Sequence, residues 1–176
     1  LTISVAPENE PINSSPWYAF RLIANATKDV AIVLDYGTYK HRYTPDYSID
    51  GVNWQTYPAA KLDLNKDKSR AGFSLPIPQG KAVVIAAQPL LTSSHSAAWL
   101  ESLKEQHGVT VSSVGSSVED RPLWRVTTPT KKHTLLLLGR QHPPETTGAL
   151  ALISFVERLF EDDALATRFR NEVGLL

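Results

Sequence analysis

The stretch Leu135-Leu136-Leu137-Leu138-Gly139-Arg140-Gln141-His142-Pro143-Pro144-Glu145 decides how this chain is read. Four consecutive leucines make a short apolar run of the kind that forms a strand buried on both faces. Gly139 ends that run. His142 and Glu145 then offer an imidazole nitrogen and a carboxylate three residues apart. Open α/β sheets take their ligands just beyond the carboxyl ends of strands, which is where His142 falls. Nitrogen and carboxylate oxygen together suit zinc. Pro143 and Pro144 stiffen the bend by pushing His142 and Pro143 towards extended backbone. Pro144 can also open the next helix at its first position. That would put Glu145 in the first turn, where the helix dipole favours the ionised carboxylate that a metal requires. The plainer alternative is a surface turn capped by a glutamate, because His-x-x-Glu pairs arise often by chance.

Outward from this stretch, the second half reads as mixed α/β. Ser93 or Ser94 can cap a helix that runs to about Gln106. Ala97, Leu100 and Leu103 would line its inner face, and Gly108 would end it. Val109–Val114, Leu123–Thr127 and His133–Leu138 are strand candidates. Thr146–Phe160 reads as a helix that is apolar on most faces and therefore well buried. Asp162 or Asp163 can cap a last short helix containing Leu165 and Phe169. Strands alternating with helices, one strand being wholly apolar, predict an α/β sheet covered on both sides.

The first half reads as all-β. Trp17–Ile23 and Val30–Tyr36 are rich in strand formers. Asp50-Gly51 marks a tight turn between Tyr47 and Trp54. Ala71–Leu75 alternates, and Lys81–Ala87 is an apolar strand candidate. Prolines 45, 58, 76 and 78 punctuate these runs. Short strands at this spacing predict a small β-sandwich. The fold expected is therefore an all-β N-terminal domain over residues 1–88, followed by the first part of a mixed-sheet α/β domain over residues 89–176. Tyr36, Tyr39, Tyr43, Tyr47, Trp54 and Tyr57 could form an exposed face for a peptide or glycan, or serve the core. Core packing is the more common fate of aromatics.

Composition narrows the functional classes. Hydrophobic residues make up 42% of the 176, enough for a core. Lysine and arginine total 18, as do aspartate and glutamate, so the formal net charge is zero. A nucleic-acid or anionic-membrane surface needs a cationic excess, so neither partner is expected. No run reaches the ~18 apolar residues of a membrane span. There is no cysteine, so any metal must be held by His, Asp or Glu. Absence of cysteine leaves the compartment open. Oligomeric state is likewise not readable from the sequence. Of the other histidines, His133 begins the same strand and extended backbone carries it far from His142. His95 and His107 flank the first helix, and His41 lies among aromatics as a strand-surface candidate.

The second half resembles the start of the catalytic domain of the M14 zinc carboxypeptidases. Val114-Gly115-Ser116-Ser117-Val118-Glu119-Asp120-Arg121-Pro122-Leu123 is similar to that family's Gly-x-Ser-x-Glu-Gly-Arg-Pro segment, with Asp120 in place of the usual glycine. Leu135–Leu138 with His142-Pro143-Pro144-Glu145 looks like the family's strand and first zinc motif. The first half is similar to the β-sandwich that precedes this domain in the cytosolic carboxypeptidase-like branch. There Trp17-Tyr18-Ala19-Phe20-Arg21 and Tyr47, Asp50, Gly51 and Trp54 match a Trp-Tyr-x-Phe-Arg strand and a Tyr-x-x-Asp-Gly-x-x-Trp segment. That branch commonly reads His-Pro-Gly-Glu, and Pro144 stands where its glycine is.

The resemblance implies zinc-assisted hydrolysis of the C-terminal peptide bond of a peptide or protein. It assigns His142 and Glu145 as the first two zinc ligands. The third ligand and the general base are expected downstream of Leu176, so the chain by itself is expected to be inactive. Val173–Leu176 looks like the start of the next sheet strand. Arg140, beside the metal pair, could orient a substrate carbonyl or carboxylate, or make a structural ion pair. Readings from other classes are a non-catalytic peptide- or glycan-binding module and a pseudoenzyme that keeps the fold without the metal.

Overall fold

The structure is a computed structural model that describes residues 1–7, 16–142 and 145–176. The expected stiffening at Pro143-Pro144 lies outside the described residues. The chain separates into two compact units, Leu1–Leu90 and Leu91–Leu176.

In the first unit the described strands are β1 (Thr2–Ser4), β2 (Ala19–Ile23), β3 (Lys28–Asp35), β4 (Asp46–Ser48), β5 (Gln55–Thr56), β6 (Asp63–Leu64), β7 (Arg70–Ile77) and β8 (Ala82–Ala86). They form two four-stranded sheets, β1-β3-β7-β6 and β2-β8-β4-β5. The long pair β3–β7 is antiparallel from Lys28 opposite Ile77 to Asp35 opposite Arg70. Its alternation decides the buried face. Ile32 and Leu34 point inward from β3, and Ala71, Phe73, Leu75 and Ile77 from β7. Val83 and Ile85 of β8 meet them in one core. Two sheets packed over a shared apolar layer make a β-sandwich.

The aromatic residues of this unit serve that core. Tyr36 and Tyr57 are buried, Tyr39, Tyr43 and Tyr47 pack against the core while part-buried, and Trp54 is half-buried. The exposed aromatic face therefore does not form, because a small sandwich has few apolar residues to spare from its core. His41 sits in a half-buried loop and not on a strand surface. The Asp50-Gly51 turn forms as expected between the paired β4 and β5. Gly51 takes φ 77°. The Asp50 carboxylate accepts from the amides of Val52 and Asn53, the Asn53 side chain and the Ser48 hydroxyl, at 2.7–2.9 Å. These bonds, led by that of the Asn53 side chain, hold its acidity well beyond the usual carboxylate range.

The second unit contains α1 (Ser93–His107), β9 (Thr110–Ser116), β10 (Pro122–Thr127), β11 (His133–Leu135), α2 (Thr146–Phe160), α3 (Ala164–Glu172) and β12 (Val173–Leu175). α1 is capped by Thr92 and not by Ser93 or Ser94. The Thr92 side chain accepts from the amide of His95, and the His95 ring accepts from the amide of Thr92. A histidine thus takes the glutamate's part in a capping box. Gly108 ends the helix at φ 65°, the left-handed value that glycine adopts without strain. Leu100 and Leu103 are buried, whereas Ala97 is exposed. β9 and β10 form an antiparallel hairpin with a bulge at Leu123/Trp124. Asp120, in the turn between them, takes φ 57°. Asp tolerates this region better than most side chains, which accounts for its standing in for a glycine.

β11 and β12 pair in parallel. The pairing continues through Leu176 N–H to Leu135 O at 3.0 Å and Leu137 N–H to Leu176 O at 2.9 Å. The regular strand is shorter than the expected His133–Leu138. Its apolar run is also not covered on both sides: Leu136 is 56% exposed and Leu138 67%. Leu137 turns inward against Leu103, Val109 and Val156. A two-stranded sheet leaves the alternate leucines facing out. α2 has the expected span but buries one stripe, with Ala149, Val156 and Leu159 inside and Phe155 42% exposed. Asp163 caps α3 by accepting from Leu165 and Ala166 amides at 2.8 and 2.9 Å. No described helix is long and apolar enough to cross a membrane.

Candidate metal centre

β11 ends at Leu135; the chain runs on through Leu136–Leu138, passes Gly139-Arg140, and reaches His142 ahead of α2. Gly139 packs against α2: a Cβ there would lie 2.5 Å from Leu152 Cδ2. A glycine lets the backbone come this close. Arg140 takes φ 53°, which costs a non-glycine residue roughly 1–2 kcal/mol. Its Nη1 donates to the carbonyl of Leu91 at 2.9 Å.

The structure brings His142 and Glu145 together. His142 Nδ1 lies 2.9 Å from Glu145 Oε2. The Glu145 amide also donates to the His142 carbonyl at 3.1 Å, so the two backbones are joined as well. α2 opens at Thr146, so Glu145 occupies the cap position and not the first helical turn, and the expected role of Pro144 lies outside the described residues. The Glu145 side chain makes no cap bond. This argues against the plain reading of a glutamate-capped turn, because a capping side chain would bond the first amides.

The two side chains are hydrogen-bonded to each other, and their imidazole nitrogen and carboxylate oxygen are donor types that suit zinc. Zn–N and Zn–O bonds of about 2.1 Å hold the two donor atoms about 3.0–3.4 Å apart over the usual angles. The observed separation is within a few tenths of an ångström of that range. The side chains are 71% and 64% exposed, and an exposed pair of this kind contributes little to stability. Nearby, Thr146 is 2% exposed and its Oγ1 has no partner among the described residues. A buried hydroxyl left without a partner costs about 1–3 kcal/mol. Such exceptions call for a functional account.

The remaining histidines are elsewhere. His95 belongs to the α1 cap. His107 stacks on Phe160 with ring centroids 4.4 Å apart. In the first unit, the His41 ring lies 3.0 Å from the Tyr36 hydroxyl. Among the described residues no three His, Asp or Glu side chains converge as a metal-binding group. Sequence reasoning missed the Thr92–His95 cap, the Thr146 hydroxyl and the Leu91 carbonyl. The carbonyl is a backbone atom 49 positions from its arginine, and nothing in a sequence marks it.

The second unit also carries an apolar groove of about 950 Å³ lined by Trp99, Leu100, Leu136, Leu138, Leu152 and Val156, with Arg140 at its polar part; neither His142 nor Glu145 lines it. It accounts for the exposure of the two outward leucines.

Residues 96–175 match the family model of peptidase M14, zinc carboxypeptidase. No curated protein sequence matches the chain. Among solved structures, a metallo-carboxypeptidase from Burkholderia cenocepacia superposes with a TM-score of 0.79 at 21% identity. The match covers 99% of this chain and 48% of that one. A metallo-carboxypeptidase from Pseudomonas aeruginosa in complex with (2-guanidinoethylmercapto)succinic acid superposes with a TM-score of 0.69 at 22% identity, covering 90% of this chain and 44% of that one. The chain thus spans a little under half the length of the structures it matches. It has the mixed α/β fold of that part of a metallo-carboxypeptidase, and its second unit carries the match to the zinc carboxypeptidase family.

Proposed function

We propose that this chain is part of a zinc metallocarboxypeptidase that removes C-terminal residues from peptides or proteins, with His142 and Glu145 as two of its zinc ligands. The carrying observation is the approach of His142 Nδ1 to Glu145 Oε2 at 2.9 Å, within the segment matching the zinc carboxypeptidase family. The resemblance of the first unit to the sandwich of the cytosolic carboxypeptidase-like branch supports placing it in that branch.

His142 and Glu145 would hold the zinc, which when bound would supply Lewis-acid activation for peptide hydrolysis. His142 gives a neutral nitrogen, and Glu145 gives an ionised oxygen at the positive end of α2. The third ligand and the general base come from residues outside this chain. That assignment is supported by the partial coverage of the matched structures.

The test is metal analysis and peptide hydrolysis by the full-length protein. One zinc per chain and release of C-terminal residues are expected, with both lost in His142→Ala. Residues 1–176 alone should bind zinc weakly and release no amino acid. Hydrolysis by that chain, abolished by His142→Ala, would contradict the division of the site.

A further inference from the structure

We propose that Arg140 is a positioning residue for the metal pair: it clamps the loop carrying His142 to the start of α1, and it does not contact substrate. This rests on the zinc reading of His142 and Glu145.

The loop begins at β11, whose pairing with β12 runs through Leu137 and Leu176. Two residues later Gly139 lies against Leu152 of α2. Then the Arg140 guanidinium donates to Leu91 O at 2.9 Å. Leu91 directly precedes Thr92, the cap of α1, whose side chain and carbonyl are themselves bonded to His95 and Ser96. The carbonyl gripped by Arg140 therefore belongs to a fixed point. Strand β11, helix α2 and the start of α1 thus hold the backbone from three directions within five residues of His142.

The left-handed backbone at Arg140 completes the argument. Asn or Gly would adopt it more readily. A long cationic side chain at such a position needs a gain elsewhere, and the bond to Leu91 supplies it, as charge-assisted hydrogen bonds are among the stronger ones. Donors that are mostly exposed cannot be oriented by burial. Their aim depends on the backbone that carries them, and loss of the groups that orient metal ligands typically weakens metal binding 10- to 100-fold.

The experiment is zinc competition against a chromophoric chelator in the full-length protein, comparing wild type, Arg140→Ala and Arg140→Lys. Cobalt-substituted spectra and thermal melts accompany each. The clamp predicts zinc affinity about tenfold or more weaker in Arg140→Ala, with changed cobalt bands. It predicts substantial recovery in Arg140→Lys, which keeps a donor for the carbonyl. The lysine variant decides the matter should the alanine variant fail to fold. Wild-type zinc affinity in Arg140→Ala with only KM raised would overturn the proposal in favour of a substrate contact. Wild-type protein that binds no zinc would overturn the metal reading itself, and this inference with it.

Discussion

Two histidines show how differently one residue type is used in this chain. His142 is exposed beside a carboxylate, where a cation can reach it. His41 is half-buried against Tyr36, and burial, with the nearby Lys68 charge, holds its pKa below the ordinary 6.5. In the unfolded chain His41 takes up a proton as pH falls through that ordinary value, while the folded chain resists. The unfolded state then binds more protons, so His41 contributes stability above pH 6.5 that is lost on acidification. Thermal melts should show a lower Tm at pH 5 than at pH 7. The difference should shrink in His41→Asn, which keeps an acceptor for the Tyr36 hydroxyl and does not titrate. An unchanged pH dependence in that variant would remove His41 as a cause.

At the scale of elements, alternation and caps carry most of the account. Ile85 of β8 is fully buried in the core shared by the two sheets. Ile85→Ala should destabilise the first unit by about 2–5 kcal/mol. Chemical denaturation would measure it, and a loss below 1 kcal/mol would contradict the packing described. The same elements show what could be read in advance. β3, β7 and β8 were legible because period-2 patterning and strand formers agree there. α2 was legible in its span but not in its burial, since apolar composition does not say which faces a neighbour covers. Four leucines in a row say as little about which faces a neighbour covers within residues 1–176. Their run fits a strand buried on both faces, yet Leu136 and Leu138 turn out into the groove. Near the site, the closeness of His142 to Glu145 was legible from their spacing. The Arg140 bond to Leu91 was not, because it joins a side chain to a distant backbone carbonyl.

As a whole, the chain has two units of unequal self-sufficiency. Among the described residues, the first has a core of fourteen buried residues and two sheets to enclose it. The second has a three-residue buried cluster, and Trp124, Leu136, Leu138 and Phe155 are exposed. Exposed apolar groups gathered in this way mark a surface that binds something or aggregates. Residues 1–90 produced alone should fold cooperatively with dispersed amide resonances. Residues 91–176 alone should bind a hydrophobic dye and self-associate. A soluble, dye-silent second unit would show that its apolar groove does not behave as an exposed surface.

The central claim is that His142 and Glu145 hold zinc for C-terminal peptide hydrolysis. Metal analysis of the full-length protein, beside His142→Ala and Glu145→Ala, tests it most directly. The account predicts one zinc per wild-type chain and little or none in either variant. Zinc retained in full by both variants, or absent from the wild type, would contradict it.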